Sequence, residues 1–159
     1  MFDVLVIGAG VSGVSCALVL GSAHNKPYAA DKNIAIIAHQ KASSLQNAVF
    51  NNAYGIPAGK LGSEILLESL AQLQNLYPHV AQIEGEKVHS ILGEAGNFTI
   101  ITNKSNFQAK IIVVTIGPNN PFLIEGLEAF VEPHQKIPPA KNRIQLRNND
   151  HLVAEGIYV

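Results

Sequence analysis

The stretch "FDVLVIGAGVSGVSCALVL" at residues 2–20 constrains the fold more than any other part of the chain. Phe2–Ile7 are mostly aliphatic or β-branched and barely alternate, as in a parallel strand covered on both faces. Glycines follow at 8, 10 and 13, and Val14–Leu20 then carry apolar residues at helical spacing. A strand that runs through G-x-G-x-x-G straight into a helix is the start of a dinucleotide-binding βαβ unit. Each glycine has its own reason. Gly8 permits the tight turn, Gly10 lets the backbone approach a pyrophosphate, and Gly13 lets helix and strand pack closely. The diphosphate would sit at the positive end of the helix dipole against unpaired backbone N–H groups. Ser12 adds a hydroxyl donor there.

Further along, Asn25–Asn33 is a polar, proline-containing loop and Ile34–Ala38 a second buried strand. A dinucleotide fold usually ends that strand on Asp or Glu, which bonds the ribose hydroxyls. Here Ala38, His39 and Gln40 stand in that place, and Asp31 lies at the wrong end of the strand. His39 and Gln40 are therefore the candidate polar contacts, or else plain exposed loop residues. Residues 39–60 show no clear periodicity and read as a long loop, a length that is usually functional or disordered. Leu61–Leu76 carries the apolar stripe of an amphipathic helix, stopped by Pro78. From Lys87 to Lys110 the runs "KVHSIL", "NFTIIT" and "NFQAK", split by "GEAG" and "NKS", read as a β-meander. Ile111–Ile116 is a further buried strand ended by Gly117-Pro118, residues 118–139 hold five of the eight prolines, and "RIQLR" is one more weak strand.

Hydrophobic residues make up 47% of the chain and charged ones only 14%, against about 25% in an ordinary globular domain. Long stretches must therefore be buried, within the domain or against a partner chain, so a homo-oligomer fits the composition. A formal net charge of −1 and scattered Lys and Arg give no electrostatic reason to expect nucleic acid or an anionic membrane. No apolar run approaches the roughly 20 residues needed to cross a bilayer, and the start lacks a signal-peptide pattern. The expected location is the cytoplasm. The single cysteine, Cys16, excludes an internal disulfide or a CxxC redox pair and reads as a small buried helix residue. "GVSGVS" is no nucleophile elbow. The histidines at 24, 79, 89, 134 and 151 lack metal-ligand spacing. Glu64 and Glu68 read as a solvated helix face, so no catalytic residue and no metal site is named.

The order of elements carries more than the glycines alone. A glycine motif, a second strand, a long loop with "FNNAYGIP", a helix, a meander and then "IIVVTIG" resembles the flavin domain of the thioredoxin-reductase-like, FAD-dependent pyridine nucleotide-disulfide oxidoreductases. The resemblance implies an α/β, Rossmann-like FAD/NAD(P)-binding domain, a parallel sheet with helices plus a β-meander. It covers residues 1–117 in order, and the tail 143–159 resembles the family's return strands. Carried over, Gly8, Gly10 and Gly13 would cradle the FAD pyrophosphate. "NNAYG" resembles the family's E-N-Y-P-G segment, with Asn52 matching the asparagine beside the flavin ring. Val88 matches the place where backbone groups hold the adenine. "VTIG" resembles the A-T-G closing strand, which puts Thr115 and Gly117 over the cofactor. For Val88 and Thr115 the competing reading is core packing.

Three departures from the family stand out. The acid after the second strand is replaced, the G-G-Q segment appears as "KASS", and the Pro-rich connection 118–142 stands where an NAD(P) domain would be inserted. The chain stops at Val159, before the family's A-G-D motif, and reads as truncated. The expected function is an FAD-binding protein of oxidoreductase type, its flavin reduced by NAD(P)H or by a partner redox protein. A non-catalytic dinucleotide-binding or regulatory module is the alternative, and an enzyme binding NAD alone is a third.

Overall fold

The computed structural model describes residues 1–39, 44–116, 124–127, 143–148 and 151–157. Its centre is a six-stranded sheet. The strands are β1 (Phe2–Ile7), β2 (Ile34–Ala38), β5 (Val80–Glu84), β6 (Val88–Glu94), β7 (Asn97–Thr102) and β8 (Asn106–Val114), in the order β5-β2-β1-β8-β7-β6. The first four run parallel, and the last three form the meander expected from "GEAG" and "NKS". Two helices, α1 (Val11–Ser22) and α2 (Gly62–Leu76), connect the parallel strands. Within residues 39–60, expected as a loop, a short 3-10 turn at 44–47 precedes a small ribbon of β3 (Val49–Phe50) and β4 (Lys60–Leu61). A separate antiparallel hairpin pairs β9 (Arg143–Asn148) with β10 (His151–Ile157).

The expected "NFQAK" and "IIVV" strands are one. Asn106–Ala109 pair antiparallel with β7, while Ala109–Val114 pair parallel with β1, and Ala109 meets both Phe98 and Phe2. The apolar run and the meander strand are continuous because Lys110 faces out and bonds Asp3, so polarity interrupts the pattern without ending the strand.

The sheet must curl. A flat six-stranded sheet would hold its edge strands about 24 Å apart. Yet β5 and β6, at opposite edges, are joined by only Gly85, Glu86 and Lys87, a link that reaches at most about 14 Å. Strand alternation then feeds two cores. Leu5, Ile7, Ala35 and Ile37 point inside the curl, where Val88, Ile91, Ile100 and Ala109 of the meander cover them. Val6, Ile34, Ile36 and Val80 point the other way, onto Val14 and Ala17 of α1 and Leu73 of α2. Each fully buried aliphatic side chain contributes about 1.5–3 kcal/mol of transfer free energy. On α1 the buried face is Gly13, Val14, Ala17 and Gly21, a row of small residues that brings the helix axis close to the sheet.

Candidate functional site

From β1 the chain passes by α1 to β2 and by α2 to β5 on one side, whereas β8 joins β1 on the other. The strand order therefore reverses between β1 and β8, and in open α/β sheets the crevice beyond the carboxyl ends of the strands at such a point is where ligands bind. Gly8 and Thr115 lie there, each one residue past its strand. The Gly8 N–H donates to the Ile37 carbonyl at 3.0 Å, and the Thr115 N–H donates to the Ile7 carbonyl at 2.8 Å. The Thr115 hydroxyl lies 2.9 Å from the carbonyl oxygens of Ile7 and Gly8 and shares its proton between them. The turn is thus fastened to strands on both sides.

The three glycines separate into two kinds. Gly8 has φ +106°, and a Cβ there would lie 2.6 Å from the Thr115 carbonyl oxygen. A Cβ on Gly13 would lie 1.8 Å from the Gly8 carbonyl oxygen and 2.7 Å from Thr115 Oγ1. Both are required by the fold. Gly10, at φ −78° and ψ −171°, adopts extended backbone open to any residue. Its dihedrals alone do not call for glycine.

Gly10 is also the N-cap of α1, with no side-chain cap and no acidic residue in the first turn. Val14 N–H donates to the Gly10 carbonyl at 2.9 Å as the first intrahelical bond, so the amides of Val11, Ser12 and Gly13 have no helical acceptor. Ser12 is exposed and its hydroxyl is available beside them. Three N–H groups with no partner among the described residues, a positive dipole end and a bare Gly10 form a cradle suited to a diphosphate.

Of the other expected residues, His39 is exposed directly after β2, two positions past the carbonyl that holds Gly8. Asn52 is exposed on the loop between β3 and β4, where Asn51 braces the turn by accepting from the Gly59 N–H at 3.1 Å. Val88 pairs with Thr102 and buries its side chain in the inner core, so only its backbone is open to a site role. Gln40 and Gly117 lie outside the described residues. The structure joins Gly8, Gly13 and Thr115 directly, and among the described residues no hydrogen bond ties Asn52 or Val88 to the glycine turn.

β5 shows no clear strand period in the sequence, and it brings two residues, Glu84 and Gly85, to this edge. Glu84 ends β5 opposite Ala38, and the Gly85 N–H donates to the Ala38 carbonyl at 2.7 Å. The signal was "VAQIE" after Pro78, a short run with one polar residue inside it. Cys16 is half-buried, and burial pushes its thiol up, away from a reactive thiolate. Glu64 and Glu68 are exposed and pair with Lys60, as the solvated-face reading expects. Among the described residues no group of three or more His, Cys, Asp or Glu could hold a metal ion, and no helix is long and apolar enough to cross a membrane.

These features define a Rossmann-like dinucleotide-binding unit, a mostly parallel sheet with helices and a meander. No known family profile matches the chain. Over 117 residues it is 30% identical to the ferredoxin–NADP reductase of Lactococcus lactis subsp. cremoris strain SK11, across 72% of this chain and 35% of that protein. One component of the ferredoxin:CoB-CoM heterodisulfide reductase of Methanosarcina acetivorans is 30% identical over 103 residues, 63% of this chain and 12% of its own length. Among solved structures, an oxidoreductase from Agrobacterium tumefaciens matches with a TM-score of 0.61 at 26% identity, over 73% of this chain and 36% of that one. The thioredoxin reductase of Lactococcus lactis matches in fold with a TM-score of 0.61 at 21% identity, over 82% and 40%. The chain is thus related to the thioredoxin-reductase and ferredoxin–NADP-reductase proteins, the kinship its motifs resemble, and it spans 35% of the length of the first curated relative.

Proposed function

We propose that this chain is the FAD-binding part of an oxidoreductase of thioredoxin-reductase type. The observation that carries the reading is Gly10, a glycine that its own backbone does not require, capping a helix at the switch point whose first three amides have no partner among the described residues. The amides of Val11, Ser12 and Gly13 and the Ser12 hydroxyl would hold the pyrophosphate. The family resemblance adds Asn52 beside the flavin ring, backbone at Val88 for the adenine, and Thr115 with Gly117 over the cofactor. It also divides the chain into an FAD-binding unit at 1–117, a connection at 118–142 in place of an NAD(P) domain, and return strands of the same domain at 143–159. FAD supplies the redox chemistry when bound; the protein supplies binding and the electrostatics around the ring. Its reductant is NADH or NADPH reaching an open ring face, or a partner redox protein, in a cytoplasmic setting. Purified protein should carry or take up FAD and show flavin absorbance, and Gly10→Leu should lose it while staying folded. Undiminished flavin in Gly10→Leu would refute the pyrophosphate assignment.

A second reading, a non-catalytic dinucleotide-binding module, draws on the connection 118–142 that stands where the family resemblance would place an NAD(P) domain. Bleaching of the bound flavin by NADPH and its reoxidation by an added acceptor would exclude that reading.

A further inference from the structure

The second strand ends without the acid that a dinucleotide fold places there for the ribose hydroxyls, since Ala38 and His39 occupy the position. We infer that the carboxylate comes from the neighbouring strand, and that Glu84 of β5 binds the adenosine ribose. The inference rests on the FAD-binding reading and adds a residue to it.

Strand register carries the argument. Ala38 pairs in parallel with Glu84, as Ile36 does with Gln82 and Ile34 with Val80. Partners in register present their side chains on the same face of a sheet. Ile34, Ile36 and Val80 belong to the core under α1 and α2, so Ala38 and Glu84 continue that face, on the side where α1 begins. Adjacent strands lie about 4.8 Å apart, a distance a glutamate side chain spans. Ala38, with only a methyl, leaves the space above the end of β2 for it. Glu84 is exposed and makes no hydrogen bond or ion pair among the described residues, so its carboxylate is available to accept hydrogen bonds from two hydroxyls. The edge is held firmly, because the Gly85 N–H, one residue on, is bonded to the Ala38 carbonyl. Ile37, the residue before Ala38, accepts from the Gly8 N–H at 3.0 Å, which ties the end of β2 to the glycine turn. A nucleotide with its pyrophosphate on α1 therefore extends its ribose toward the ends of β2 and β5.

The test compares ADP with 2′,3′-dideoxy-ADP by calorimetric titration of the wild-type chain, Glu84→Gln and the double variant Ala38→Glu/Glu84→Gln, with thermal unfolding as a check on the fold. A hydrogen bond to a charged group makes a difference of about tenfold or more in affinity. Wild type should prefer ADP over the dideoxy nucleotide by that factor, Glu84→Gln should lose the preference, and the double variant should recover it from the neighbouring strand. Wild-type preference that persists in Glu84→Gln overturns the Glu84 assignment and leaves the pyrophosphate site standing. Failure of the wild type to bind ADP or FAD overturns both.

Discussion

Gly13→Ala and Gly10→Ala add the same methyl group three residues apart, and the structure gives them opposite consequences. At Gly13 the new Cβ would stand 1.8 Å from the Gly8 carbonyl oxygen and 2.7 Å from Thr115 Oγ1. Contacts below 3.0 Å are not tolerated, so α1 must retreat from the turn by more than about 1 Å in an interior packed as densely as a crystal. The partner atom is backbone, fastened through Gly8 N–H to Ile37 and through Thr115 to β1, and cannot swing aside. Overpacking ordinarily costs about 1–3 kcal/mol, and with a backbone obstacle the upper end applies. At about 4 °C per kcal/mol for a chain of this size, Tm should fall by about 10 °C or more. At Gly10 the dihedrals suit alanine, and the poorer N-cap costs about 1 kcal/mol or less. Thermal unfolding followed by circular dichroism reads both changes. FAD binding then reverses the order of interest, because Gly10→Ala should weaken it with Tm nearly intact. A Gly13→Ala protein melting within about 2 °C of wild type, or a Gly10→Ala protein that melts lower than Gly13→Ala, would refute the division of the glycines into structural and ligand-facing ones.

Other expected outcomes concern single side chains. Thr115→Val removes the hydroxyl shared by the Ile7 and Gly8 carbonyls and should cost about 1 kcal/mol, whereas Thr115→Ser should keep it; equal Tm values for the two variants would contradict the role given to the hydroxyl. Val88→Ala should destabilise by about 2 kcal/mol through the cavity left in the inner core while leaving FAD affinity unchanged; a loss of affinity at constant stability would mean that its side chain, and not only its backbone, reaches the ligand. The Lys110 hydrogen bond, followed by the Asn33 amide, lowers the Asp3 pKa below 3.8, so this contribution to stability is full above that value and is lost as pH falls through the lower folded one. Unfolding titrations of Asp3→Asn should accordingly show a flatter acid limb than wild type, and identical limbs would remove the pair from the account.

The parts of the fold legible in the sequence are those where one residue type has one physical reason. Gly8 and Gly13 were readable because no side chain fits between α1, the turn and Thr115. β1 and β2 were readable because both faces are covered and the runs are continuously apolar. β5 was not, since "VAQIE" lies at a sheet edge and carries Gln82 inside the strand. The stretch 39–60 holds strands of only two residues each, too short to leave any period. Glu84 could not be found at all without register, because its relation to Ala38 joins residues far apart in the chain. Asn52 and Val88 came from family likeness, and the local geometry around each is set by a hairpin loop and by the inner core.

The most direct measurement of the central claim is a calorimetric titration of FAD into wild-type and Gly10→Leu protein, paired with their unfolding curves. Saturable one-site binding to wild type, absent from an equally folded Gly10→Leu protein, is the predicted result. Equal binding by both, or none by the wild type, would contradict a diphosphate cradle at the start of α1.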